Sequence, residues 1–196
     1  FETDTIQLIS EFHNDTLNGS MIAFYENGLP EFEALYEYGL MNGTYLEYFQ
    51  NGQLKISTTY NFGTELGSWQ NYYPNGQVKT SGKYVDGIRD STWSYYYYNG
   101  KMKQTESFTL GKLNSFTPPK NYKGISLKPG PFKNGDGVRF IYDTTGRKIA
   151  NIPYSNGLSN GIGYTFCPKT GDTLSKNNYR DGFMHGESTE YYSSGQ

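Results

Sequence analysis

Histidine and cysteine are the side chains most often used for acid–base, nucleophilic or metal chemistry, and this 196-residue chain has two His and one Cys. His13 and His185 stand near opposite ends, each at a turn, where a solvated turn residue is the simpler reading than a metal ligand. Cys167 has no base near it in sequence, and its strand position beside Phe166 reads as a small buried hydrophobe. Asp86, Asp90 and Asp181 fall in turns, where Asp bonds its local backbone. Asn134-Gly135-Asp136-Gly137 faintly resembles a calcium loop, but it lacks the alternating acidic series and the distal Glu. No glycine-rich phosphate loop is present, because the glycines are evenly spaced punctuation. These residues assign no catalytic, metal or cofactor-binding site.

The elements that carry them repeat. Asn-Gly recurs at Asn27-Gly28, Asn51-Gly52, Asn75-Gly76 and Asn99-Gly100, with a spacing of 24 residues. The series runs on as Lys123-Gly124, Thr145-Gly146, Thr170-Gly171 and Ser194-Gly195. A second series pairs an aromatic with a Gly or Asp three residues on, from Phe12/Asp15 through Tyr36/Gly39, Tyr60/Gly63 and Tyr84/Gly87. It continues at Phe108/Gly111, Phe132/Gly135, Tyr154/Gly157 and Tyr179/Gly182. A third falls at Gly19, Gly43, Gly67, Gly161 and Gly186.

Each unit holds two short strands and two turns. In the third copy, Gly67 to Tyr73 is the outgoing strand and Gln77 to Tyr84 the return. Asn75-Gly76 is expected to make the tight turn between them, with Asp86-Gly87 a looser one into the next copy. The fold class is all-β: an elongated single-layer antiparallel meander of about eight 24-residue hairpins and about sixteen strands. At 4.8 Å per strand it would extend roughly 75 Å. The regular array of copies one to four spans residues 1–114, and copies six to eight span 137–196. Between them, 115–136 is a degenerate copy and a bend, with Pro118, Pro119, Pro129 and Pro131, and with Lys120 and Asn121 in place of paired aromatics. The copy holding Cys167 has one extra residue, which suggests a bulge.

Composition narrows the function classes. A net charge of −2 lacks the basic stripe that nucleic acid requires, and no apolar run is long enough for a membrane helix. Tyr and Phe at 20 and 12 residues are too many for disorder. Alternation along the strands sorts the aromatics by face. One face collects Phe24, Tyr48, Tyr72, Tyr96, Tyr142 and Tyr191. The other collects Met21, Tyr45, Trp69 and Trp93 with Tyr25, Phe49, Tyr73 and Tyr97 in copies one to four, and Arg139, Asp143 and Ser188 replace them elsewhere. Two readings stand for this second face. Cross-strand packing would fold the rings onto one another with the Tyr hydroxyls in water. Alternatively Tyr45, Phe49, Trp69, Tyr73, Trp93 and Tyr97 form a partner-docking face. The terminal strands add open edges. Glu2, Asp4 and Glu11 would blunt the first, whereas Thr189, Tyr191 and Tyr192 on the last are expected to be covered by a partner strand.

The pattern Gly-x-Trp-x-x-Tyr-Tyr-x-Asn-Gly followed by Tyr-x-x-Gly, clearest at Gly67 to Gly87, resembles the bacterial MORN-variant repeat. The resemblance implies a β-hairpin array with glycine turns and members that are exported or lipid-anchored. Eukaryotic MORN repeats add lipid headgroups and scaffolding as roles. Many Asn, Thr, Ser and Tyr with one Cys fit an extracytoplasmic setting, periplasm or outer-membrane surface, and the resemblance implies a lipid anchor upstream of Phe1. The expected function is a non-enzymatic interaction scaffold, an accessory subunit of a bacterial envelope or outer-membrane complex, with other envelope proteins as partners. The alternative is a glycan- or small-ligand-binding module that stacks Tyr and Trp. An enzyme would need a polar cluster from Ser115 to Gly137 that the sequence does not display.

Overall fold

The computed structural model describes residues 6–192, so Glu2, Asp4 and the Ser194-Gly195 turn lie outside the described residues. The described secondary structure is entirely strand and turn. Contacts divide the chain into two compact units, Phe1–Gly100 and Lys101–Gln196. The division falls ahead of the expected 114/115 boundary, and the fourth return strand, Met102–Thr109, lies in the second unit with its hairpin partner Lys112–Phe116.

Unit 1 contains β1 (Leu8–His13), β2 (Thr16–Phe24), β3 (Pro30–Glu37), β4 (Leu40–Tyr48), β5 (Leu54–Asn61), β6 (Thr64–Glu65), β7 (Gly67–Tyr72), β8 (Val78–Val85) and β9 (Ile88–Tyr96). They form one antiparallel sheet in the order β1-β2-β3-β4-β5-β7-β8-β9, with β6 on β5. Two-residue pieces such as β6 raise the strand number above sixteen. The ladder breaks at Leu66, whose N–H still reaches Thr59 O at 2.9 Å.

Unit 2 contains β10 (Met102–Thr109), β11 (Lys112–Phe116), β12 (Phe132–Lys133), β13 (Asp136–Tyr142), β14 (Lys148–Ser155), β15 (Leu158–Ser159), β16 (Gly161–Phe166), β17 (Thr173–Arg180) and β18 (Phe183–Glu190). β10 and β11 pair as a hairpin. A separate sheet runs β12-β13-β14-β16-β17-β18, with β15 on β14. The Pro-rich segment leaves the strands but keeps its loop: Asn121 N donates to Ile125 O at 2.9 Å and Gly124 N to Asn121 O at 2.8 Å. It stays against β10 through Thr117 N to Thr105 O and Lys120 N to Lys103 O, at 3.0 and 2.9 Å.

The two turn types are the reverse of the sequence expectation. Pairing closes directly across Tyr38-Gly39, Phe62-Gly63 and Asp86-Gly87, with Glu37 opposite Leu40, Asn61 opposite Thr64 and Val85 opposite Ile88. Both residues of each turn have positive φ, for example 51° and 79° at Tyr38 and Gly39, the two-residue geometry that matches strand twist. Asn-Gly instead sits in the longer loop. There Gly28 N donates to Tyr25 O and Tyr25 N to Leu29 O, each 2.9 Å, and in the Asn-Gly pair only the Gly has positive φ. The extra residue of the Cys167 copy also enters such a loop, not a strand: Cys167 N donates to Asp172 O, where the preceding copy closes Asp143 N on Arg147 O.

The Asn-Gly loops are tied one to the next. Asn27, Asn51 and Asn75 each accept from the N–H two residues on through Oδ1, at 3.1–3.2 Å. Their Nδ2 groups donate 23 residues ahead, to Gln50 O, Pro74 O and Tyr98 O at 2.8, 3.1 and 3.1 Å. An Asp could make the first bond and not the second. On the other edge, Gly39 N reaches Leu17 O, Gly63 N reaches Met41 O and Gly87 N reaches Glu65 O, at 2.7–2.9 Å.

Candidate functional site

The repeat brings one row of side chains together across the unit 1 sheet. Met21 faces Ala34, Ala34 faces Tyr45, Tyr45 faces Thr58 and Trp69 faces Gly82. Large residues on outgoing strands thus alternate with small residues on return strands, which gives each ring room to lie flat. Phe32 stacks on Tyr45 at 6.1 Å, and Tyr60 meets Tyr45 edge-on at 6.0 Å. Trp69, Tyr84 and Trp93 form a triangle with centroids 5.0–6.4 Å apart.

Packing within the row corrects part of the docking face. Trp93 is 0% exposed and Tyr97 5%, so neither presents a ring to a partner. Trp93 lies between Tyr84, Trp69 and the Arg89 guanidinium, which sits 4.2 Å from its ring centroid. Tyr45, Phe49, Trp69 and Tyr73 are half-buried. Lys55 Nζ lies 5.9 Å over Phe49, and Lys79 Nζ 5.7 Å over Tyr73. Two hydroxyls do not end in water: Tyr25 Oη donates to Tyr48 O at 2.7 Å and Tyr73 Oη to Tyr96 O at 3.0 Å, each a staple between copies. Burial, reinforced by the Glu47 carboxylate, pushes the Tyr45 phenol up to about 12.

The candidate chemical groups do not converge. His13 ends β1 and His185 lies within β18, both exposed, with His185 Nε2 3.4 Å from Arg180. Asp86 and Asp181 occupy left-handed turn positions, while Asp90 is in β9 and faces Lys83. Asp136 accepts from Asn156 N at 2.9 Å. Among the described residues no group of three or more His, Cys, Asp or Glu could hold a metal ion. Cys167 is not a strand hydrophobe. It is half-buried at the head of a loop, in the position that Asp143 holds one copy earlier. Asp143 Oδ1 accepts from the N–H groups of Thr145, Gly146 and Arg147. In the matching cradle, hydrogen bonds from the Thr170 hydroxyl and then from the Thr170 and Lys169 N–H groups pull the Cys167 thiol down.

Unit 2 holds a charge pair that sequence reasoning missed. Glu106 occupies the return-strand position that Ala34, Thr58 and Gly82 fill in earlier copies, and it is buried. Arg139, on the Trp position of its own copy, bonds Glu106 through Nη2 and lies 5.0 Å over Phe116. Gln104 Nε2 and Arg139 Nε are buried without a hydrogen-bond partner. Burial, then Arg139, pushes the Lys103 ammonium down. The signal available in the sequence was a charged residue in a slot otherwise reserved for small side chains.

Glu11 accepts from Ser20 N at 2.9 Å, so it bonds across the first hairpin. At the other end β18 pairs, among the described residues, with β17, and Thr189, Tyr191 and Tyr192 are exposed. Among the described residues no helix is long and apolar enough to cross a membrane.

An array of antiparallel hairpins joined by glycine turns, with aromatics ordered by the repeat, defines an all-β repeat protein. The family described as MORN repeat variant matches residues 41–61, 65–86 and 89–109, so this stretch of the chain consists of three consecutive MORN-variant repeats. Such repeats are generally modules of protein or membrane interaction. No curated protein matches the chain.

Proposed function

We propose that this chain is a non-enzymatic scaffold that docks proteins within a bacterial cell-envelope assembly, on the extracytoplasmic side. The observation that carries the reading is the aromatic row of unit 1. Tyr45, Phe49, Trp69 and Tyr73 remain half-exposed on one sheet face, ordered by a repeat that holds each ring in place. Tyr and Trp held in this way supply contact area at low entropic cost. A composition rich in Asn, Thr, Ser and Tyr with one Cys supports the envelope setting.

The test is native co-purification from the source membrane fraction, comparing the wild-type chain with Tyr45→Ala/Phe49→Ala. Loss of a specific partner with an unchanged far-UV spectrum supports the face. Retention of every partner removes it. A saccharide panel read by tryptophan fluorescence is the control, and saturable quenching would favour the glycan-binding alternative.

A further inference from the structure

The tight turns present the same backbone slot to different side chains. The first turn residue is left-handed in every described copy, with φ of 44–51°. Asn14, Asp86, Asn134, Asn156 and Asp181 fill it with the residues that tolerate this conformation best. In unit 1, Tyr38 and Phe62 do not. A bulky side chain there strains the backbone, and neither ring recovers the cost by burial: Tyr38 is 74% and Phe62 47% exposed. The residue after the turn glycine adds Leu40 at 48% and Ile88 at 45%.

These residues share one edge. Gly39, Gly63 and Gly87 are stitched to successive preceding copies by backbone bonds, so neighbouring turns stand two strands, about 10 Å, apart. Asn42 fixes the geometry locally. It donates to Glu37, and its Oδ1 accepts from Phe62 N at 3.4 Å. The opposite edge of the same sheet is closed by the Asn27, Asn51 and Asn75 bonds. Carboxylates outnumber cations on the tight-turn edge. Asp15, Glu37, Glu65 and Asp86 stand on or beside the turns. The Arg89 guanidinium is engaged over Trp93 and with Tyr95 Oη at 3.1 Å.

We infer that the tight-turn edge of unit 1 is a docking site for a protein segment whose apolar side chains recur about every 10 Å with Lys or Arg between them. The aliphatic anchors would lie between the Tyr38 and Phe62 turns, and the cations would meet the carboxylates. This places strained, solvent-facing rings where partner contact is gained. The acidic surroundings disfavour an anionic lipid surface as the occupant. The inference rests on the reading of the chain as an interaction module, at a site distinct from the Tyr45/Phe49 face.

The probe is a synthetic peptide of repeating Leu-Lys-Lys, which in the polyproline II conformation, with three residues per turn, places Leu on one side at about 9 Å intervals. It is titrated into the full chain and followed by backbone amide resonances, beside a repeating Leu-Glu-Glu peptide. The expected result is saturable shifts at residues 36–42 and 60–66 that weaken with salt. In Tyr38→Asn/Phe62→Asn the affinity should fall about tenfold or more while the Tm stays level or rises. Equal affinity in that variant, or equal binding of the acidic peptide, overturns the inference. So does partition onto phosphatidylcholine or phosphatidylserine vesicles without peptide binding, which would assign the edge to lipid. Should the double variant fail to fold, Leu40→Ser/Ile88→Ser repeats the measurement with the turn residues intact, and undiminished binding there overturns the inference. Tyr45→Ala/Phe49→Ala is expected to bind the peptide normally, so failure at one site is separable from failure at the other.

Discussion

The indole of Trp93 lies on Gly82: a β-carbon at Gly82 would stand 2.2 Å from Trp93 Cδ2. Gly82 does not have the positive φ of the turn glycines, so space and not backbone freedom is what the position supplies. Gly82→Ala is expected to destabilise unit 1 by about 2–3 kcal/mol in urea unfolding, through overpacking. In a Trp93→Leu background the same change should cost much less, a non-additivity that a double-mutant cycle measures.

Asn51 bonds its own loop through Oδ1 and the next copy through Nδ2. Asn51→Asp retains the acceptor and loses the donor to Pro74 O. A loss of about 1 kcal/mol is expected, compared by denaturant midpoint with Asn51→Ala, which loses both bonds. Equal midpoints for Asp and wild type would show that the staple between copies contributes nothing.

Glu106 is buried and its partner Arg139 is half-buried. Glu106→Gln or Arg139→Met should each cost unit 2 about 3–5 kcal/mol, because the remaining charge is left without its partner. Glu106→Leu/Arg139→Leu should be less destabilised than either single variant. Thermal unfolding of the three decides between a pair held for stability and one that sets the packing register.

Alkaline pH should loosen unit 1. Burial raises the phenols of Tyr45, Tyr48, Tyr60 and Tyr73, with Tyr45 at about 12. The folded chain then holds protons that the unfolded chain releases near pH 10. This contribution is complete below pH 10 and is lost as pH rises from there toward 12. Urea midpoints between pH 9 and 12 should fall, and Tyr45→Phe should flatten the decline.

Cys167 should alkylate at lower pH than a free thiol, since the Thr170 hydroxyl and the loop N–H groups favour its thiolate. Thr170→Val should move the iodoacetamide pH–rate profile upward. An unmoved profile would show that the backbone N–H groups alone hold the thiolate.

The repeat itself was legible in the sequence, because positive-φ glycines and alternating aromatics have to recur wherever a hairpin recurs. Strand pairing and the outgoing and return roles come from that spacing. Turn chemistry was not legible. Asn-Gly is the strongest local signal for a two-residue turn, yet it sits in the longer loop, since its amide is needed to bond Gln50, Pro74 or Tyr98 a full copy away. The tight slot went to Tyr38 and Phe62, which propensity alone would place elsewhere. The aromatic face was legible as composition and misjudged as surface. Alternation determines which side of the sheet Trp93 occupies, but only the tertiary placement of Gly82, Tyr84 and Arg89 decides that it is buried. Period and face are local consequences of backbone geometry. Exposure, and with it which aromatics can meet a partner, depends on neighbours brought together across strands.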